Sequence, residues 1–280
     1  IFGVGAKGAQ RWLDLGFTRL QPAEIMKVCV PLMISAYLSK RFIPPTFKHV
    51  CWSVVMILIP TLLIVRQPDL GTAILVFASG FLVLFLAGLG KRYILGSGLI
   101  SLAAIPVMWL FVLRDYQKQR ILTLLSPEDD TLGSGWNIIQ SKTAIGSGGF
   151  NGKGWTEGTQ SQLSFLPESH TDFIIAVLAE EFGLIGVMAL CTLYLLIIGR
   201  CLFIAANAQS QFGRLLAGSL GSIFFIYIFV NMGMVSGILP VVGAPLPMIS
   251  YGGTAILTLF IGFGMLMAIS REPKQMRTQF

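Results

Sequence analysis

Long apolar runs alternate with short polar connections along this chain, and one polar stretch of unusual length divides them. Runs near residues 21–39, 49–66, 70–88, 92–113, 171–199, 213–239 and 247–269 reach the roughly 17 to 25 residues that a helix needs to cross a hydrocarbon layer ~30 Å thick. The pattern predicts seven spanning helices and an all-α fold, a polytopic membrane helical bundle with 1–280 as a single integral membrane domain. Between the fourth and fifth runs, residues 114–171 form the long polar loop. Pro44 and Pro45 mark a sharp turn, whereas Pro60 and Pro106 fall inside spans and should bend them. At the start of the loop, Arg114 to Arg120 followed by Ile121, Leu122, Leu124 and Leu125 predicts a short amphipathic helix. It either lies on the membrane surface with its basic groups at anionic headgroups or continues the preceding span into solvent.

Composition agrees, with 54% apolar and only 12% charged residues against about 25% charged in an ordinary soluble domain. A net charge of +7 raises nucleic acid as a partner, and the distribution of charge argues against it. Lys40, Arg41, Lys48, Lys91, Arg92, Arg200, Arg214, Arg271, Lys274 and Arg277 occupy alternate loops and the C-terminal tail, with Glu272 their sole acidic company. Basic loops stay on the cytoplasmic side, so the 114–171 loop is expected to be extracytoplasmic. Cys29, Cys51, Cys191 and Cys201 sit in or beside spans, away from that loop, and read as buried free thiols. Ile1 opens the chain with no charged leader or cleavage site ahead of it, which reads as a piece of a longer protein with further spans before it.

The polar loop carries the candidate chemistry. Gly146 to Gly149 and Gly152 to Gly154 supply permissive backbone among Gln140, Asn151, Thr159 and Gln160, and such turns direct amides at phosphate oxygens. The segment is no P-loop, because Ser147 stands where the first glycine is needed and Gly154 where the final hydroxyl is. Ser169, His170 and Asp172 are nearly consecutive, a poor arrangement for a hydrolytic relay. Asp172 opens the span after the loop. It reads either as a first-turn carboxylate favoured by the helix dipole or as a general base tuned by low dielectric at a membrane boundary. On a continuous helix Glu180 would lie about 80° around from Asp172 and ~12 Å further along, and Glu181 on the opposite side. Glu180 is therefore the partner expected to share a cavity with Asp172. Each ionisable residue inside a span costs about 2.5 to 3.5 kcal/mol, so Glu24 and Lys27, three apart, read either as a structural ion pair or as the charged wall of a polar cavity. Asp69 reads equally as a helix cap or as a site contact.

These residues carry a family resemblance. The chain resembles the SEDS family (shape, elongation, division and sporulation), and within it the elongation-associated members. The resemblance rests on Gln21 to Lys27, Gln67 to Thr72, Gly152 to Trp155 with Gly158 to Gln160 and Pro167 to Phe173, and Asn231 through Gly237 to Pro240 and Pro247 to Gly253. It implies about ten spans in all, three of them ahead of Ile1, in the bacterial cytoplasmic (inner) membrane. It also implies a peptidoglycan glycosyltransferase that polymerises lipid II into β-1,4-linked glycan strands, with Asp172 catalytic. The implied partners are lipid II and the growing lipid-linked glycan, a class B penicillin-binding protein that crosslinks the product, and membrane proteins of the elongation complex; nucleic acid is not among them. Substrate contacts are assigned to Glu24, Lys27, Asp69, Lys153, His170 and Glu180. Positive charge for the diphosphate leaving group would come from Lys27, Lys153 or a divalent cation, Mg or Mn, with no other cofactor expected. Two rival readings remain: a flippase that moves the same lipid unchanged, and a non-catalytic scaffold for the crosslinking enzyme.

Overall fold

The computed structural model describes residues 4–6, 9–14, 16, 19–130, 133–162 and 169–272. Pro167 and Glu168 of the loop motif and Lys274 and Arg277 of the basic tail lie outside the described residues. The chain divides into two units, residues 1–89, 195–226 and 252–280 in the first and 90–194 and 227–251 in the second.

The first unit opens with a small antiparallel meander, β1 (Val4–Ala6), β2 (Ala9–Asp14) and β3 (Arg19–Leu20), in which Leu13 stands opposite Leu20 and Asp14 opposite Arg19. Strands this short leave no readable alternation, and the helical class describes everything after them. Pro22 then starts α1 (Pro22–Ser39), a position where its missing N–H costs nothing. With α2 (Phe47–Arg66) and α3 (Leu70–Leu86) it encloses Val30, Ile34, Leu38, Ile57, Val76, Val83 and Leu84. Lipid tails are as apolar as these side chains, so close van der Waals fit rather than escape from water holds such helices together. The C-terminal part of α8 (Ile174–Asn207), the N-terminal part of α9 (Gln211–Val235) and α10 (Gly253–Ser270) pack around Cys201, Ile204, Leu216, Ala217, Leu220 and Leu266. Ser210 closes the α8–α9 turn: its hydroxyl donates to the Glu272 carboxylate at 2.9 Å and accepts from Gly213 N at 3.1 Å.

The second unit holds α4 (Lys91–Val107) and the folded polar loop. After Pro106 the helix widens, with Leu113 N donating to Met108 O at 2.8 Å, one residue beyond the usual helical step. The expected amphipathic helix is α5 (Asp115–Leu125), where Arg114 N donates to Gln117 Oε1 at 3.0 Å. Its Arg120 donates to Val241 O at 3.0 Å, so this basic group serves the protein's own backbone rather than a headgroup. Asp130 accepts from Thr123 Oγ1 and Gly135 N, each at 3.3 Å, and so turns α5 into α6 (Ser134–Gly148). Ser141 ties α6 to Val235 O at 2.8 Å, and the single turn α7 (Thr159–Gln162) follows.

Among the described residues, α2, α4 with its widened turn, α8, α9 and α10 are long and apolar enough to cross a membrane. Of the other two expected spans, α3 is shorter at 17 residues and α1 carries Glu24 and Lys27. The cysteines are all free, but only Cys201 is buried; Cys29 and Cys51 are exposed. An outward position on a span meets lipid rather than water, and a small apolar thiol suits it.

Candidate functional site

Asp172 lies two residues ahead of α8, half-buried, in a turn. The helical projection that linked it to Glu180 therefore does not apply. What fixes Asp172 is a row of three backbone carbonyls, two held by the segment between α9 and α10 and the third by Asn231 of α9. His170 O accepts from Tyr251 N at 3.0 Å, Thr171 O from Ser250 Oγ at 2.5 Å, and Asp172 O from Asn231 Nδ2 at 2.9 Å. Asn231 is fully buried and also donates to Ala244 O at 2.7 Å, while Ser250 Oγ accepts from Leu246 N at 2.7 Å. Each clamp thus joins both segments at once. Beside the carboxylate runs Gly243, in the left-handed region with φ +74°, where a Cβ would stand 3.4 Å from Asp172 Oδ2. A side chain at that position would crowd the carboxylate's approach. His170 itself is exposed. Asn231 and Ser250 were legible as motif members, yet spacing alone does not separate a residue that holds the site from one that reacts; the available signal was an Asn inside an apolar span.

Glu180 sits in a different cluster, fully buried. Its Oε1 accepts from Lys153 Nζ at 2.8 Å, Gln160 N at 3.0 Å, Thr159 Oγ1 at 3.2 Å and Ser147 Oγ at 3.5 Å. Lys153 also donates to Thr159 Oγ1 at 2.7 Å and keeps 28% of its side chain exposed. A buried carboxylate without such donors would be prohibitively costly. The sequence reason is the glycine-rich turn, which brings Lys153 to this depth because α8 is broken at Gly183 (φ 63°, ψ −161°). The break frees the carbonyls of residues 180 and 181 and the amides of 184 and 185. The turn takes up all of these: Lys153 N donates to Glu180 O and Gly154 N to Glu181 O, each at 3.0 Å. In return Leu184 N donates to Gly149 O at 3.0 Å and Ile185 N to Phe150 O at 3.2 Å. Irregular backbone at membrane depth is tolerated only when satisfied in this way.

In the first unit, Lys27 Nζ stands 2.5 Å from Glu24 Oε1, both side chains buried. Asp69 caps α3, accepting from Thr72 N at 3.2 Å, and its other oxygen accepts from Gln21 Nε2 at 3.1 Å. Both bland readings are therefore physically present: an ion pair at Glu24 and Lys27, and a cap at Asp69. Each is also a polar group inside an apolar unit. Among the described residues no group of three or more His, Cys, Asp or Glu side chains is placed to hold a metal ion.

Apolar spans, a folded polar loop and a braced, half-buried carboxylate at that loop's end define an integral membrane protein with a polar site beside its spans. A family model described as cell cycle protein, that of FtsW, RodA and SpoVE, matches residues 1–275, and the chain belongs to this family. It is 57% identical over 275 residues to the peptidoglycan glycosyltransferase MrdB of Escherichia coli K12, a match that covers 98% of this chain and 74% of that protein. It is 39% identical over 279 residues to the probable peptidoglycan glycosyltransferase FtsW of Geobacter metallireducens, covering 98% and 73%. Among solved structures it is similar to a chain of a peptidoglycan synthase complex described as coordinating polymerization and crosslinking, with TM-score 0.82, 30% identity and coverage of 98% and 77%. The rod shape determining protein RodA of Thermus thermophilus matches with TM-score 0.65, 28% identity and coverage of 98% and 73%.

Proposed function

We propose that this protein is a peptidoglycan glycosyltransferase that polymerises lipid II into β-1,4-linked glycan strands during cell elongation, with Asp172 as general base. The observation that carries the role of Asp172 is the bracing of carbonyls 170, 171 and 172, which fixes the backbone from which the carboxylate projects. In the reaction the carboxylate accepts the proton of the acceptor sugar's 4-hydroxyl while that oxygen attacks the donor's anomeric carbon. The bond to the lipid diphosphate breaks on the opposite face. A single displacement inverts the anomeric centre and needs one base, not a nucleophile and acid pair. The diphosphate leaves with its charge met by a lysine. Lys153 is the candidate in the second unit, since Glu180 has no exposed surface and acts on substrate only through it. In the first unit Lys27, paired with Glu24, is the candidate, with Asp69 a further substrate contact, and His170 lies exposed next to the base. A divalent cation would have to come with the diphosphate, as magnesium commonly does.

The charge asymmetry of the loops supports a cytoplasmic-membrane protein with its 114–171 loop outside, where a class B penicillin-binding protein would crosslink the product. The test is to purify the full-length protein with that partner, supply lipid II and compare glycan products of wild type and Asp172→Asn on a gel. Strands from wild type and none from a folded, partner-bound variant are expected. Equal strands from the variant would sink the base assignment, and none from either would favour a flippase or scaffold.

A further inference from the structure

An exposed aromatic cluster on the outer loop has no part in this chemistry. Trp155 and Phe182 meet with ring centroids 5.5 Å apart, and Phe150 belongs to the same turn, whose backbone pairs with Ile185. Trp155 is 71% exposed, Phe150 70% and Phe182 40%. The same turn presents Lys153 to the buried carboxylate of Glu180, so it is polar toward the protein and aromatic away from it.

The level of this cluster can be read from α8. Glu180 and Glu181 are followed by an uncharged run from Phe182 to Gly199, and Arg200 closes it. At 1.5 Å per residue that run is about 27 Å long, close to the ~30 Å hydrocarbon thickness. The whole helix of 34 residues, at about 51 Å, is far longer than the layer. The hydrocarbon boundary thus falls at Phe182 and Gly183, the level where the turn docks. Leu184, Ile185 and Met188, just beyond the break, are also exposed, which extends the apolar surface inward from the aromatic cluster.

We propose that Phe150, Trp155 and Phe182 form an interfacial anchor that seats the outer loop in the lipid headgroup–hydrocarbon boundary. Trp favours this boundary because its ring is largely apolar while its N–H still finds polar partners. The anchor fixes the depth of the loop, and through the Lys153–Glu180 pair the depth of the outer part of α8 that follows Asp172. Its level comes from the position of the break and is independent of the proposed chemistry; only the side of the membrane rests on charge asymmetry.

The test uses the full-length protein in lipid nanodiscs and the difference in tryptophan emission between wild type and Trp155→Phe, which isolates Trp155. Bilayers containing lipid brominated near the headgroup end of the acyl chain are expected to quench that difference signal, and acrylamide in the water to leave it largely intact. Quenching by acrylamide without quenching by brominated lipid would overturn the anchor and place the ring in solvent. Protection from both quenchers would also overturn it, with protein rather than lipid covering the ring.

Discussion

At the residue scale, the proposed chemistry rests on one carboxylate, and its neighbours differ in what their loss should do. Asp172→Asn keeps the shape and the braced backbone and removes the base. Strand formation should fall by about 10² to 10⁴-fold, while the melting temperature in detergent stays near that of wild type. Asn231→Leu acts differently, because it removes the donor to the carbonyl of Asp172 and to the buried carbonyl of Ala244. The cost should be about 1 to 3 kcal/mol for an unsatisfied buried group, seen as a lower melting temperature together with a lower kcat. Retained kcat in a folded Asn231→Leu protein would show that the brace does not orient the base. Glu180→Ala should be worse for folding than Glu180→Gln: alanine leaves a cavity and takes the acceptor from every donor, whereas the amide still offers an oxygen to Lys153, Thr159 and Gln160. Thermal unfolding of the two variants side by side gives that order directly.

At the element scale, most helices were legible because a run of apolar residues has to be long to cross lipid. α2, α9 and α10 lie where the runs 49–66, 213–239 and 247–269 placed them, to within a few residues at most ends. What the pattern missed was set by partners remote in the chain. The run 171–199 reads as one helix because no proline marks the break, and Gly183 adopts φ 63° only because the turn from Gly149 to Gly154 pairs with the freed groups. Likewise Glu180 carries no local sign that its donors lie 20 and 27 residues upstream. The charged motif residues were found, but whether each caps, pairs or reacts depends on neighbours that spacing does not reveal, as Asp69 illustrates by capping α3 while also holding Gln21. Gly183→Ala tests the break itself. A left-handed conformation for alanine costs about 1 to 3 kcal/mol, and its methyl would also meet the backbone of Phe150 and Gly152. The variant should melt several degrees lower, and an unchanged melting curve would mean that the helix does not need this kink.

At the scale of the whole molecule, the proposed sides of the membrane rest on the asymmetry of charge. In a cysteine-free version of the full-length protein in spheroplasts, a Glu157→Cys variant on the outer loop should react with a membrane-impermeant maleimide. A Lys40→Cys variant, in the turn after α1, should react only after permeabilisation. The reverse pattern would invert the topology and put the proposed base on the cytoplasmic face.

The interlocking of the broken helix with the glycine-rich turn also bears on how the protein is made. A gap in a helix at lipid depth leaves polar backbone groups that cost several kcal/mol each until something pairs with them, and here the pairing groups belong to chain synthesised earlier. The bend therefore has no stable existence until the preceding loop has folded back onto it. While residues 174–207 are being inserted, a straight continuous rod is their favoured form, and the kink appears only as the loop lands. Assembly of this part of the protein is thus ordered in time, with docking of the loop as the step that permits the final shape.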